Sequence, residues 1–266
     1  CCVDKGITVR PYDMLRLRHA IGLLSRQLIE DGTVTLAWDP ADGSLTGSLT
    51  QRSYRASQVA CVFLDVVTNV SAREMRAADP DRFASMPEIV QRAADLMRGE
   101  WDVAGLCMIH SGRPEACRGF PYQRRSALNA DGSASATEVH QVTRCGSCAL
   151  STPTTPREVL EGEQIADYWQ AADAFRRVER YLHSLGIANV EHQDFRAHSL
   201  HSVGEIWAQL YLPDEDTDVA EEFPDQWRES IDVEGDLLIY RRVLDRAMDR
   251  AEQLIASSGD DASTWG

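Results

Sequence analysis

Apolar residues recur every three or four positions near the start of the chain, from Tyr12 to Ile29. This is the spacing of one face of an α-helix. Pro11 suits the first turn, because the N–H that it lacks would have no helical partner there. The apolar stripe consists of Met14, Leu15, Leu17, Ile21, Leu24 and Leu28, and the polar side carries Arg10, Arg16 and Arg18. The pattern predicts a single helix over residues 12–29.

After residue 31 the spacing of apolar residues changes from the helical period to alternation with polar residues. Apolar and polar residues alternate from Val34 to Trp38 and again from Leu45 to Leu49, and residues 39–43 between them form a turn signal. This arrangement predicts a β-hairpin or two short strands. The apolar run over residues 58–67 is compact and carries Cys61.

Helical spacing dominates the second half of the chain. Helices are predicted over residues 157–184, 198–211 and 235–255, with shorter ones over residues 87–97 and from Ser71. Residues 126–140 are mostly Ala, Asp, Gly, Ser and Thr, which is typical of an exposed loop. The tail from residue 257 is expected to be disordered.

The Pro- and Thr-rich segment Ser151–Pro156 is the best candidate for a domain boundary. We therefore predict an α+β fold that is predominantly α-helical, with a small β-hairpin and a loop-rich cysteine-cluster core. The cysteine-cluster domain would cover residues 1–152, with an insertion at about 65–105, and a helical C-terminal region would cover residues 153–266.

Charge and hydropathy narrow the classes of function. The 266 residues carry a formal net charge of −15, with a pI near 4.8. This acidity argues against a basic nucleic-acid-binding face and against electrostatic attachment to anionic membranes. There is no apolar run of the roughly 18 residues that a transmembrane helix requires. We expect a cytoplasmic protein that binds neither nucleic acid nor membrane.

Seven unevenly spaced cysteines are the most distinctive chemical feature: Cys1, Cys2, Cys61, Cys107, Cys117, Cys145 and Cys148. In a reducing cytosol, such a density indicates metal binding or thiol chemistry rather than disulfides. Four thiolates can close a zinc site or hold an iron–sulfur cluster. We therefore predict that most of these cysteines gather around one metal site, with all seven as candidate ligands.

The spacing of the later cysteines supports this interpretation. Gly112 and Pro114 lie between Cys107 and Cys117, and proline opposes a continuous helix because it has no N–H. The segment should therefore fold back and bring its two cysteines together. Downstream, Cys145-Gly-Ser-Cys148 has the Cys-x-x-Cys spacing with which two sulfurs can bind one ion.

Other interpretations of the cysteines stay open. Free cysteines often behave as small buried hydrophobic residues, and this alternative is strongest for Cys61 in its apolar run. Cys145 and Cys148 could instead form a redox dithiol, although no thioredoxin-like pattern surrounds them.

Two arginines and several histidines are further candidates. Arg113 and Arg118 flank Cys117 and could offset the charge of a thiolate-rich cofactor, or they could be ordinary surface residues. His110 could supply a nitrogen ligand, and His198 and His201 share a predicted helix face. For these histidines, a packing or surface role is favoured.

The order of these motifs resembles the bacterial cysteine-cluster proteins of the YkgJ type, a family of zinc- or iron-chelating domains. The resemblance runs from Cys1 to about Cys148 and is interrupted over residues 65–105. Its parts are Cys1-Cys2 before Ile7-Thr-Val-Arg-Pro-Tyr-Asp13, then Cys61-Val-Phe-Leu64, Cys107-Met-Ile-His110 and Arg113-Pro-Glu-Ala-Cys117-Arg-Gly-Phe-Pro121. The last part is the most specific.

The resemblance implies that Cys1, Cys2, Cys61, Cys107 and Cys117 are metal ligands, with Cys145 or Cys148 in the late cysteine position. The family usually has further cysteines before the first pair and lacks the long insertion after Cys61, so the number of metal ions stays open. A similar domain in flagellin lysine methylases implies methyl transfer as one possible activity.

Three hypotheses follow. The first is an iron–sulfur protein that supports redox or protein-modification chemistry on a partner's substrate. The second is a zinc-stabilised interaction module without catalysis. The third is an enzyme similar to the lysine methylases, although no motif for S-adenosylmethionine is visible. A protein partner or protein substrate is expected in each case.

Overall fold

The structure is a computed structural model, and it describes residues 3–39, 44–55, 58–68, 76–84, 103–120, 122–129, 134–141, 156–184, 203–213 and 233–258. By its internal contacts the chain divides into two compact units. The first, called the helical unit, comprises Cys1, Gly6–Thr50 and Ser111–Gly266, and the second, called the strand unit, comprises Cys2–Lys5 and Gln51–His110. The boundary predicted near residue 152 and the insertion predicted at 65–105 stay predictions.

The described residues form an α+β fold with small antiparallel sheets. The helical unit begins with β1 (Thr8–Val9), α1 (Pro11–Ile21), α2 (Ser25–Glu30), β2 (Val34–Trp38) and β3 (Leu45–Leu49). The strand unit follows with β4 (Gln51–Arg55), β5 (Gln58–Cys61), β6 (Leu64–Thr68), α3 (Pro80–Ala84) and β7 (Val103–Cys107). The helical unit then continues with α4 (Glu115–Arg118), β8 (Tyr122–Leu128), β9 (Ala134–Gln141), α5 (Pro156–Gly162), α6 (Ile165–Ser184), α7 (Val203–Tyr211) and α8 (Val233–Ser258).

Two predicted helices are each broken in two. The helix predicted over residues 12–29 ends at Ile21, because Gly22 adopts a left-handed φ of 75° and donates its N–H to the Arg18 carbonyl at 2.8 Å. Glycine ends helices in this way since it has no Cβ to clash. The helix predicted over residues 157–184 is interrupted between α5 and α6, where Gln164 has a φ of 52°.

The predicted β-hairpin is confirmed, and it belongs to a three-stranded antiparallel sheet of order β1-β3-β2. The loop predicted over residues 126–140 is wrong where β8 and β9 pair antiparallel, with Tyr122 opposite Gln141. Backbone pairing does not require large apolar side chains. Arg124 of β8 also donates two hydrogen bonds to the Asp173 carboxylate, at 2.6 and 2.7 Å.

The later helices follow the prediction. α8 covers the predicted residues 235–255 and extends to Ser258, so the disordered tail predicted from residue 257 is wrong for its first two residues. α7 begins at Val203. Residues 198–202, the helix predicted over 87–97 and the predicted helix start at Ser71 lie outside the described residues.

The core of the helical unit is built from the apolar faces of four helices. α1 contributes Tyr12, Met14, Leu15 and Leu17, α6 contributes Tyr168, Phe175 and Leu182, α7 contributes Trp207 and Leu210, and α8 contributes Ile239, Tyr240 and Val243. Each such side chain stabilises the fold by about 1.5–3 kcal/mol when it is fully buried. The sheet joins this core where Tyr211 of α7 donates its hydroxyl to the Leu45 carbonyl at 3.0 Å.

Candidate functional site

Cys61 and Cys107 are far apart in sequence, and both border one short part of the strand unit, the junction formed by residues 61–64 and 107–108. Cys61 ends β5, and Val62 and Phe63 form a turn into β6. The first residue of β6, Leu64, is directly opposite Cys107, the last residue of β7. Opposed residues of an antiparallel pair project from the same face, so Cys107 shares the face of the buried Leu64. Met108 closes the junction by donating its N–H to the Phe63 carbonyl at 3.0 Å.

Both residues are thiols rather than half-cystines, and Cys61 is only 4% exposed whereas Cys107 is half-buried. The guanidinium of Arg52 on β4 donates a hydrogen bond to the Leu64 carbonyl, on the residue opposite Cys107. The thiolate form of cysteine is the form that binds soft metals. The junction therefore carries two cysteines, with an arginine hydrogen-bonded to the backbone between them.

The N-terminal segment lies along β5, next to this junction. Val3 forms an antiparallel bridge with Ala60. Asp4 donates its N–H to the Val59 carbonyl at 2.8 Å, and its Oδ1 accepts the Val59 N–H at 3.0 Å. Its Oδ2 accepts a hydrogen bond from Gln58 Nε2 at 3.1 Å. These contacts attach the residues that follow Cys1 and Cys2 in sequence to the strand that ends at Cys61.

Cys117 lies on α4 of the helical unit and is half-buried. The predicted absence of a continuous helix from Cys107 to Cys117 is confirmed, because a 3-10 turn over His110–Gly112 precedes the separate helix α4. The turn passes close to α1: a Cβ at Gly112 would lie 2.5 Å from the Arg16 carbonyl oxygen. Glycine is therefore required at this position for steric reasons.

The two arginines beside Cys117 have protein partners. Arg113 forms an ion pair with Glu163. Arg118 is buried, donates to the carbonyls of Ser111, Arg113 and Glu163, and places its guanidinium 4.6 Å from the Tyr168 ring centroid. These contacts fix the turn that carries Cys117, and the predicted cofactor-binding role of both arginines stays a prediction.

The other predicted ligands lie outside the described residues: Cys1, Cys2, Cys145 and Cys148. His198 and His201 lie outside them as well. Within the described residues no group of three or more His, Cys, Asp or Glu side chains is placed to hold a metal ion. A complete site would therefore need donors beyond Cys61 and Cys107.

A second cluster of polar residues is buried in the helical unit. Arg16 was predicted on the polar side of its helix, but it is buried, forms an ion pair with the fully buried Asp236 and donates to Tyr168 Oη at 3.2 Å. His19 places Nδ1 2.9 Å from Asp236 Oδ1. A buried charge needs such partners because transfer from water is costly. The cluster ties α1 to α6 and α8.

Asp13 lies near this cluster and connects α1 to α4. Its carboxylate accepts the Arg10 N–H at 2.8 Å and the Glu115 N–H at 2.9 Å. Burial raises the pKa of Asp13 to about 7, against the lowering effect of these hydrogen bonds. Burial likewise raises the pKa of Tyr12, Tyr168 and Tyr240. The tyrosines are therefore neutral at physiological pH, and their rings pack together, with Tyr12 contacting both others.

A cleft of about 840 Å³ lies between the β8–β9 hairpin and helices α5 and α6. Its walls include Tyr122, Val139, Leu160, Ile165 and Trp169, with Glu161 among the polar residues. A space of this size matches small-molecule sites in proteins. The cleft was not predicted, because it depends on Val139 of the segment expected to be a loop and on the interruption of the helix predicted over residues 157–184.

Asp4 and Arg52 are the residues of the junction that sequence reasoning missed. Neither stands in a recognisable motif, and each acts through backbone groups of a distant segment. For Asp4, the sequence offered one indication of a role near the cysteines, which is its position two residues after Cys2 and two residues before Gly6.

No protein family, curated protein or solved structure matches this chain. In the described part of the chain, no helix combines the length and apolarity needed to cross a bilayer.

Proposed function

We propose that this chain is a metal-binding protein that holds an iron–sulfur cluster through cysteine thiolates. The observation that supports the proposal best is the pairing of Leu64 with Cys107, which brings Cys107 to the turn that follows Cys61. Cysteine sulfur suits a soft metal centre, and Arg52, which donates to the Leu64 carbonyl, supplies a positive charge in a protein that is otherwise acidic.

The remaining ligands of the proposal are the cysteines identified from the sequence: Cys1, Cys2, Cys117, Cys145 and Cys148. When bound, a cluster would supply one-electron redox chemistry. The role of the chain's own residues is to hold the thiolates and to offset their charge. A cytoplasmic location and a protein partner or substrate belong to the same proposal, because a reducing compartment keeps thiols available to metals.

A zinc-stabilised interaction module is the second candidate, and the short pairs of the strand unit favour it. Among the described strands, β4–β5 and β6–β7 each form a two-stranded pair, and an isolated two-stranded hairpin is marginally stable in water. A structural metal would stabilise such a unit, as in small zinc domains. The methylase-like alternative stays a prediction from the resemblance, and binding of S-adenosylmethionine would test it.

The first experiment is anaerobic purification, with the visible spectrum and the iron, sulfide and zinc contents measured on one sample. We expect a brown protein containing iron and sulfide. Cys61→Ser and Cys107→Ser should each lose most of the visible absorbance, because a serine hydroxyl is a poor ligand for soft metals. Val59→Ala is the matched control, since it alters a half-exposed side chain of the same strand without removing a thiol.

The outcomes separate the candidates. A colourless protein with bound zinc that is lost in both cysteine variants would support the structural module. Absence of metal from the wild-type protein would overturn both candidates and leave the cysteines to thiol chemistry or packing.

A further inference from the structure

We infer that the cleft between the β8–β9 hairpin and helices α5 and α6 is a binding site for a small organic amine, a cation with an aromatic or apolar body. All of its walls belong to the helical unit. The site goes beyond the proposed metal binding, because none of the cysteines that the structure describes lies on these walls. Its test therefore requires no metal.

The size and the walls of the cleft suit a small molecule. Its volume of about 840 Å³ lies within the range of small-molecule sites, which are mostly lined by apolar and aromatic side chains. Residues of this kind on its walls are Tyr122, Val139, Leu160, Ile165 and Trp169. Val139 is 41% exposed, so a bound apolar group would remove its side chain from water, which is favourable.

The Trp169 wall is held in place by the protein itself. Arg124 places its guanidinium 5.2 Å from the centroid of the Trp169 ring and donates a hydrogen bond to the Trp169 carbonyl at 3.3 Å. The Asp173 carboxylate accepts two hydrogen bonds from the same guanidinium, at 2.6 and 2.7 Å, and offsets its charge. A wall that is already ordered favours binding, since less side-chain entropy is lost when the ligand arrives.

The charged residues of the cleft favour a cation. Arg157 and Glu161 neutralise each other, because Arg157 Nε donates to Glu161 Oε1 at 2.7 Å. The side chain of Asp167 has no hydrogen-bond or ion-pair partner among the residues that the structure describes. Asp167 is half-buried, whereas the side chains of the pair are 85% and 62% exposed. Its carboxylate is therefore available to an ammonium group, and the rings of Tyr122 and Trp169 add cation–π attraction.

The N-terminus of α6 also borders the cleft, but it does not make the cleft a site for anions. A helix N-terminus carries a partial charge of about +0.5, which is smaller than the full negative charge of Asp167 in the first turn of α6. Two N–H groups at this end are already used, since Gln164 donates to the Glu161 carbonyl at 3.1 Å and Asp167 donates to the Gln164 carbonyl at 3.3 Å. An anion would therefore meet net negative charge.

The test is an NMR titration of the full-length chain, observing three probes of similar shape: phenethylamine, 2-phenylethanol and 3-phenylpropionate. At neutral pH they are cationic, uncharged and anionic. Phenethylamine should bind roughly three- to tenfold more tightly than 2-phenylethanol, and 3-phenylpropionate should bind most weakly. Raising the salt concentration from about 0.01 to 1 M shortens the Debye length from roughly 30 to 3 Å and should reduce these differences.

Two variants locate the binding. Asp167→Asn keeps the size of the side chain and removes its charge, so phenethylamine should lose its advantage while the affinity for 2-phenylethanol stays unchanged. Asp245→Asn is the matched control, because it removes an exposed carboxylate from α8, away from the cleft. Ala166→Trp should prevent binding of all three probes, since Ala166 lies on the cleft wall and is exposed, so the larger side chain fills the cleft rather than the core.

The remaining outcomes would overturn the inference. These are absence of phenethylamine binding, equal affinity for the three probes, tighter binding of 3-phenylpropionate, or an unchanged preference for phenethylamine in Asp167→Asn. Binding that persists in Ala166→Trp would place the probes outside the cleft and would overturn it as well. Retained binding of 2-phenylethanol by Asp167→Asn shows that this variant is folded.

Discussion

The carboxyl group of Asp13 occupies an unusual environment, because it is buried yet receives two backbone N–H groups. Burial raises its pKa from 3.8 to about 7. Between these two values the folded protein holds a proton that the unfolded chain has released. The free energy of unfolding therefore depends on pH through Asp13. The stabilising contribution of its proton is fully present only below the pKa that Asp13 has in the unfolded state.

We predict that Asp13 contributes a decrease in the free energy of unfolding as the pH rises from 4.5 to 7, with a slope of at most about 1.4 kcal/mol per pH unit. The reason is that the folded state must bury an ionised carboxylate at the upper end of this range. Asp13→Asn cannot ionise and should lose this part of the slope. Urea unfolding at several pH values measures the difference between wild type and variant.

Asp245→Asn is the control for this series, since Asp245 is exposed on α8. Its pH dependence should follow the wild type. Parallel curves for the wild type and Asp13→Asn would contradict the predicted protonation of Asp13 in the folded state.

Single residues also show how far the sequence could predict the structure. Thiols are recognisable from residue type alone, so all seven cysteines could be chosen as candidates. Arg16 was placed on a solvated face because arginines usually lie there, whereas its partner Asp236 is 220 residues away. No local sequence pattern predicts a contact between residues so far apart in the chain. The contact between Asp4 and Val59 could not be predicted for the same reason.

At the scale of elements, the break between α5 and α6 is held by distant side chains. The Glu163 carboxylate pairs with Arg113, and the Glu163 carbonyl accepts a hydrogen bond from Arg118 at 3.1 Å. Gln164 then adopts its left-handed φ of 52°. Glutamine is a good helix former, and the helical spacing of apolar residues continues on both sides of Gly162, so the interruption was not predicted.

We predict that Gln164→Gly leaves the protein at least about 1 kcal/mol more stable than Ala166→Gly, two residues later. Glycine removes the strain of a left-handed residue at position 164, which offsets the greater freedom that it gives the unfolded chain. At position 166, in the first turn of α6, no strain is present to be relieved. Denaturant midpoints of the two variants test this, and an equal loss in both would show that Gln164 is unstrained.

Elements whose own apolar residues follow a regular strand or helix spacing were predicted correctly, as the β2–β3 hairpin and helix α8 show. Gly22 was visible in the sequence but was read as part of a longer periodic helix, because the apolar stripe continues on both sides of it. The β8–β9 hairpin was missed since its composition is polar, and its attachment to α6 depends on Arg124 and Asp173.

At the scale of the whole molecule, the two units differ in what stabilises them. The helical unit has an extensive apolar core, whereas the described strands of the strand unit form two-stranded pairs. If the proposed metal binds at Cys61 and Cys107, its removal should act mainly on the strand unit. The cysteines are recognisable from residue type, whereas the junction depends on strand pairing between Leu64 and Cys107, which no local sequence pattern predicts.

We predict that removing the metal with a chelator raises amide hydrogen exchange in β5 and β7 by at least about tenfold and leaves α8 unchanged. A tenfold change corresponds to about 1.4 kcal/mol of local stability. Exchange followed by mass spectrometry, with peptides from Gln58–Cys61, Val103–Cys107 and Val233–Ser258, measures both units in one sample. A uniform change, or none, would contradict metal binding at the junction.

The ion pair between Arg16 and Asp236 also has a consequence for biosynthesis. A ribosome adds about 5–20 residues per second, so the 220 residues between these partners take roughly 10 to 40 s to synthesise. During this time the nascent α1 carries a guanidinium without the carboxylate that neutralises it in the core. Burial of α1 in its final environment must therefore wait for α8, and the helical unit is expected to complete its folding late in translation or after release.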